Sequence, residues 1–322
     1  MNAFTQYSAK ELPRIEQCLR ERTSGLSPYV LPTVLHTIEA GGKRLRPLLT
    51  ILTARALGYS GDGAYPLACS VELLHAATLL HDDILDKAGI RRGKPTAHTL
   101  YGTDHTILAG DVLLALANAI VAEYGDPALT ACLSQALLAT ATGEILEIAH
   151  IRDVSLTLGK YLEIITGKTA CLIQAACQSG ALLAGAAPRV VRAACDFGLN
   201  LGIAFQLVDD VLDYTSPQEV SGKPKGSDIR EGKLTLPLIF LLENMPGRDK
   251  ETFTKAFKDN ALSPELLDSI LGTVVRDGHA TRARDMAAQY LDKAKQSLAA
   301  LPEAPETILL AQALEGMANR EK

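Results

Sequence analysis

Leu79–His98, LLHDDILDKAGIRRGKPTAH, is the stretch on which the reading of this chain turns. Its first half has helical apolar spacing and carries Asp82, Asp83 and Asp86. Asp82 and Asp86 are four residues apart, so a helix stacks them one turn apart on a single face. Carboxylates that close repel one another and raise each other's pKa unless a cation lies between them. Arg91, Arg92 and Lys94 follow a few residues later. Mg2+ binds through a few carboxylates plus substrate phosphate oxygens, and guanidinium forks match phosphate geometry. The pattern suits a metal-bridged polyphosphate. Taken alone, an acidic cluster is as readily a solvated helix face.

A second copy removes much of that ambiguity. Phe205–Tyr214, FQLVDDVLDY, repeats the spacing with Asp209, Asp210 and Asp213, within an otherwise apolar run. Carboxylates amid so much apolar surface need compensation. His75 lies seven residues before Asp82, two turns along the same face, where it is either a substrate contact or a satisfied core histidine. Gln206 offers a neutral donor just before Asp209. Lys168 and Thr169 sit in a long apolar helix, where a lysine needs an anion such as phosphate or must snorkel to water. GGKRLRP places Lys43 and Arg46 at a glycine-rich helix entry, which favours anions or is simply a basic turn. The loop 222–233 brings Lys223 and Lys233 in a glycine-rich, charged segment, a lid or an ordinary loop.

Composition frames these groups. The chain has 322 residues, 47% of them hydrophobic, with 5% aromatics and no tryptophan, so its core is built from aliphatic side chains. Such composition favours close-packed helices. A net charge of −5 argues against general nucleic-acid binding. Six cysteines without a CxxC pair read as reduced thiols of a cytoplasmic protein. No signal pattern is present, and the apolar run 106–122 contains Asp111 and reads as too short for a transmembrane segment. Apolar spacing of three and four predicts helices over about 8–22, 28–40, 47–57, 64–87, 104–124, 127–149, 155–184 and 188–214. One opens at Thr235, shorter ones follow, and Gly89–Pro95 reads as an irregular basic loop. No linker appears, so residues 1–322 read as one all-α domain.

GGKRLRP, LLHDDILD with RRGKPTAH, GKTA, FQLVDDVLD and GKPKGSDIREGKLTLPL together resemble the trans-polyprenyl diphosphate synthases, in order and in spacing. The resemblance implies an isoprenoid-synthase helical bundle around a deep central cavity, with the acidic motifs facing each other, in a homodimer. It implies that Asp82, Asp86 and Asp83 hold Mg2+, two or three ions in all, on an allylic diphosphate. Asp209 would complete the cluster, with Asp210 and Asp213 in support. Lys43, Arg46, His75 and Arg92 would bind isopentenyl diphosphate. Arg91, Lys168, Thr169, Gln206, Lys223 and Lys233 would bind the allylic diphosphate. The cation formed by C–O ionisation is attacked by isopentenyl diphosphate, and the released diphosphate takes the proton, so no side-chain base is needed. Where many relatives have glutamine in a GExxQ stretch, this chain has Glu147.

In such enzymes a bulky aromatic four or five residues before the first Asp closes the cavity early. Here those positions are Thr78 and Ala77, which implies a lipophilic product longer than farnesyl, octaprenyl above others. Leu113, Leu114 and Leu116 would supply the next wall. Competing readings are a shorter-chain synthase, a terpene cyclase, a partner subunit of a two-component synthase, and a His-Asp phosphohydrolase prompted by His81-Asp82. A cyclase needs more cavity aromatics. A partner subunit usually loses an acidic motif, and the hydrolase needs further histidine ligands.

Overall fold

The computed structural model describes residues 3–216 and 225–318. Their fold is helical, as the 3.6-residue periodicity requires. Its strands among the described residues are Ile90–Arg91 (β1) and Lys94–Pro95 (β2), an antiparallel pair in register Ile90 with Pro95. The basic segment expected to be irregular is thus a tight hairpin. Its turn forces Arg92 to φ 52°.

The chain gathers into two compact units, each built from separate segments. The first takes residues to Leu138, Leu172–Gly198 and Ser297–Ala313. It begins with α1 (Ala3–Thr23), whose Glu11, Ile15, Leu19 and Thr23 form one buried stripe. Then come α2 (Leu31–Ile38), α3 (Leu45–Ala56) and α4 (Ala64–Leu85). α4 is apolar on nearly every face up to Leu80, so it must be enclosed by neighbours. It packs most extensively on α6 (Thr103–Ala122), beyond the short α5 (Ala97–Tyr101). Gly41 at φ 80° ends α2 and turns the chain into α3, as the paired glycines predict.

The second unit takes Ala139–Cys171, Leu199–Gln296 and residues from Leu314. α7 (Pro127–Ala149) contributes its C-terminal half. The run expected as one helix over 155–184 is instead α8 (Leu158–Ile165), a π-turn over Thr166–Ala170, and α9 (Cys171–Leu183). Cys171 N–H bonds Thr166 O, five residues back, so one extra residue is accommodated there. α10 (Pro188–Thr215) follows, then α11 (Ser227–Glu231), α12 (Leu236–Asn244), α13 (Gly247–Lys258), α14 (Pro264–Arg276), α15 (His279–Leu298) and α16 (Pro305–Ala318). Tyr161, Leu207, Val211, Tyr214, Phe240, Phe253 and Phe257 fill this unit's core.

By length and composition alone, α6, α7 and α10 are each long and apolar enough to cross a membrane. That corrects the expectation drawn from the run 106–122, which extends into a 20-residue helix.

Candidate active site

α4 ends at Leu85, and its last turn carries the first acidic motif. Three carboxylates there face the negative end of the helix dipole, an arrangement that only cations relieve. Consecutive residues on a helix lie about 100° apart, so Asp82 and Asp83 cannot share a direction. Asp82 is half-buried and Asp86, just past the helix, is exposed, whereas Asp83 is turned inward at 5% exposure. Its Oδ1 accepts from Arg91 Nε at 2.5 Å. Burial raises the Asp83 pKa, and Arg91 opposes that rise. The main cause is burial, not the mutual repulsion expected from spacing. Asp83 therefore anchors the hairpin, with Arg91 as its partner.

The same hairpin is pinned at several further points in this unit. Arg92 donates to Gly41 O, Lys94 Nζ to Glu39 O at 3.2 Å, and His36 Nε2 meets Pro95 O at 2.8 Å. Arg91, Arg92, Lys94, His36, Thr37 and Asp83 line a small open cleft. Arg44, unassigned in the sequence reading, is buried in a left-handed conformation and bonds Glu72 Oε1 at 2.8 Å and Ile38 O. Strained residues recur here: Arg44, Lys87 and Arg92 all have positive φ. His75 lies within the field of Arg46, Arg92, Arg91 and Arg44. Burial first, then those arginines, holds its pKa well below the usual imidazole value, so it is neutral at pH 7. Lys43 is exposed at the entry to α3.

Four residues before Asp82, Thr78 retains exposed surface, and its hydroxyl bonds His75 O at 2.9 Å. Ala77 is 0% exposed. Helical phase explains the difference: Thr78 lies about 40° from Asp82 around the axis, Ala77 about 140°. The pair expected to share the cavity wall divides between surface and packed core. On α6, Leu113 is fully buried, while Leu114 and Leu116 keep exposed surface.

The second unit repeats the division on α10. Asp209 is exposed and Asp210 is 3% exposed. Tyr161 donates to Asp210 Oδ2 at 2.5 Å, and Gln206 Nε2 donates to Oδ1 at 2.7 Å. Thr169 Oγ1 donates to Gln206 Oε1 at 2.8 Å. Burial pushes the Asp210 carboxyl up to about 7, against the lowering effect of Tyr161 and Gln206. Thr169 and Gln206 thus orient Asp210. Asp213 Oδ1 and Oδ2 accept from Ser227 N (3.1 Å) and Asp228 N (3.2 Å), capping α11 and tying down its loop. Burial, then Asp213 and Asp210, raises the Asp228 pKa well above the carboxylate range.

Lys168 sits in the π-turn, and its anions are within the protein. Nζ lies 2.5 Å from Glu147 Oε2 and 2.7 Å from Glu144 Oε2. Burial alone would lower its pKa, but Glu147 and Glu144 outweigh that and hold the ammonium charged. A Cβ on Gly143 would stand 2.3 Å from Lys168 N, so only glycine lets α7 meet the π-turn this closely. Lys233 Nζ reaches Glu231 Oε2 at 2.8 Å and Glu147 Oε2 at 3.7 Å. Lys223 lies outside the described residues. Tyr161, Glu144, Arg44 and Asp228 escaped the sequence reading as partners in these networks. Each pairs with residues remote in the chain or hidden by a helix's phase.

Among the described residues no three carboxylate, imidazole or thiol groups cluster tightly enough to hold a metal unaided. Asp82 and Asp86 present carboxylate oxygens at the end of α4, and Asp209 presents one on α10, the hard donor type that suits an ion completing its shell with water and phosphate.

Residues 28–274 match the family described as Polyprenyl synthetase. The chain is 32% identical over 305 residues to the octaprenyl diphosphate synthase of Escherichia coli (strain K12), covering 95% of this chain and 94% of that protein. It is 37% identical over 291 residues to a geranylgeranyl diphosphate synthase of Methanosarcina mazei, covering 89% and 88%. A crystal structure of a polyprenyl synthase from Caulobacter crescentus CB15, complexed with calcium and isoprenyl diphosphate, superposes with TM-score 0.93 at 36% identity, covering 99% and 97%. Paired acidic motifs on α4 and α10, a basic hairpin and a lysine-bearing π-turn thus accompany likeness over nearly the whole length, and the chain belongs to the polyprenyl synthetase family.

Proposed function

We propose that the chain is a magnesium-dependent trans-prenyltransferase. It adds isopentenyl diphosphate to an allylic diphosphate in successive head-to-tail condensations. The observation that carries this reading is the shared division of the two motifs. In each, one Asp is turned inward and held by a partner, while the preceding Asp keeps exposed surface.

Asp82 and Asp86 of the first unit and Asp209 of the second are the proposed Mg2+ ligands. Bound magnesium supplies charge neutralisation at the departing diphosphate, which lowers the barrier to allylic C–O ionisation. Lys168, Lys233 and Arg91 grip that diphosphate once released from their carboxylate partners. Arg46, Arg92 and Lys43 carry the positive charge for isopentenyl diphosphate. His75, neutral beside them, donates a hydrogen bond without adding charge. Asp210, Gln206, Thr169 and Tyr161 position the second motif, and no side chain acts as nucleophile.

The product is a long-chain prenyl diphosphate, octaprenyl above others, because the residue one turn before Asp82 is the small Thr78, which keeps exposed surface, and not a bulky aromatic. A geranylgeranyl product is the second reading, favoured by the identity to the Methanosarcina mazei enzyme. The working unit is a homodimer. In its support, α7 exposes Leu138 (70%) and Ile145, and α6 exposes Leu108 (61%) and Ile107. Exposed apolar side chains grouped in this way mark association surfaces. Six cysteines outside any disulfide fit a reducing cytoplasmic setting.

The test is elongation by the purified chain with Mg2+, labelled isopentenyl diphosphate and farnesyl diphosphate, with product length read by chromatography after dephosphorylation. Absence of extension from any allylic primer would refute the proposal. Formation of a cyclised hydrocarbon would favour a cyclase instead.

A further inference from the structure

Glu147 contacts both described lysines assigned to the allylic diphosphate. Its Oε2 lies 2.5 Å from Lys168 Nζ and 3.7 Å from Lys233 Nζ. Glu144 adds a contact to Lys168 at 2.7 Å, and Glu231 one to Lys233 at 2.8 Å. In these contacts among the described residues, two ammonium groups face three carboxylates. All but Glu231 are mostly buried, so water and salt screen these contacts less than they screen surface pairs.

The arrangement is built in. Gly143 allows α7 to touch the backbone of the π-turn at Lys168. Glu147, four residues later, projects from the same face of α7 one turn on. The cluster is net negative before any ligand arrives. A bare diphosphate meets lysines whose charge is already cancelled and a carboxylate that repels it. A diphosphate carrying divalent cations brings the charge that offsets Glu147 and frees the lysines.

We propose that Glu147 is an internal counter-ion that closes Lys168 and Lys233 to a bare diphosphate and yields them to a cation-loaded one. The proposal rests on the reading of those lysines as diphosphate ligands. Glu147 makes diphosphate binding conditional on metal. The same contact would return the lysines to Glu147 as the diphosphate product leaves.

Glu147→Gln keeps the size and an acceptor oxygen but removes the charge, leaving two carboxylates against two ammonium groups. The probe is inorganic diphosphate, titrated calorimetrically into the full chain with EDTA or with Mg2+. In EDTA the variant is expected to bind about tenfold more tightly than wild type, equivalent to about 1.4 kcal/mol. In Mg2+ the two should agree to within about twofold, since the cations already offset the charge. Glu163→Gln, which removes an exposed carboxylate paired with Lys160, should change neither value.

Equal affinities of wild type and Glu147→Gln in EDTA overturn the proposal. Should circular dichroism show that variant misfolded, Glu147→Asp withdraws the charge from the lysines and should give a smaller gain of the same sign. No gain there also overturns it. Wild-type elongation activity, measured separately, keeps the two readings apart. An active wild type with no Glu147 effect removes only the counter-ion. A chain that neither elongates nor binds diphosphate with Mg2+ removes both.

Discussion

Replacing Thr78 with Phe tests the ruler on α4, and replacing Ala77 with Phe is its control. Thr78 lies four residues before Asp82, about 6 Å down the helix axis and nearly on the same face. It retains exposed surface, whereas Ala77 has none. A phenyl ring at 78 would extend from the surface and block a tail growing from a diphosphate held at Asp82. The expected result is a product shortened to farnesyl, with the rate of the first addition changed less than about threefold, since the diphosphate ligands are untouched. A ring at 77 would instead enter a packed interior, where overpacking costs about 1–3 kcal/mol. Ala77→Phe should therefore lower the urea midpoint and shorten the product less than Thr78→Phe does. Chromatography of dephosphorylated products, beside urea unfolding of each variant, reads both effects. Unchanged product length in a folded Thr78→Phe variant would refute the placement of the ruler. Shortening by Ala77→Phe alone would return it to the other face.

Four further outcomes follow from the same geometry. Tyr161→Phe removes the bond to Asp210 Oδ2 and leaves that buried oxygen unpaired, which should cost about 1.5–3 kcal/mol in urea unfolding. A loss under about 0.5 kcal/mol would mean that Tyr161 does not hold Asp210. Asp82→Asn or Asp209→Asn should each lower kcat by about two to three orders of magnitude, while Asp83→Asn should act chiefly through stability and KM. His75 is held below its unfolded pKa, so the unfolded state binds the extra proton and stability falls as pH drops below about 6.5. His75→Asn should flatten that fall, which approaches about 1.4 kcal/mol per pH unit in wild type; an unchanged pH–stability curve would show that His75 protonates in the fold. Leu138→Glu puts a charge on the exposed face of α7, and light scattering should show the proposed dimer shifting to monomer, whereas an unaltered mass would refute this association surface.

What the sequence determined by itself was everything carried by short spacing. Period 3.6 set the helices, and breaks at Gly41-Gly42, Gly125-Asp126-Pro127 and Pro188 set several of their ends. Asp82 with Asp86, and the repeat at Asp209, were legible because residues one turn apart must share a face. Five motifs in order were enough to indicate the family. The π-turn was not legible, because an extra residue in a helical turn leaves no compositional trace at Thr166–Ala170.

Tertiary structure decided which member of each acidic pair is turned inward and which keeps exposed surface. Asp83 and Asp210 look like their neighbours in sequence, and only burial beside Arg91 and Tyr161 separates them. Tyr161 is 49 residues from Asp210, and Glu147 is 21 from Lys168. No local pattern predicts such meetings. The same holds for Ala77 and Thr78, adjacent small residues of which one is enclosed and one is not. Spacing along the chain fixes which side chains share a helix face. Which face is buried, and against which charge, is set by elements distant in the chain, because ion pairing and desolvation act through space.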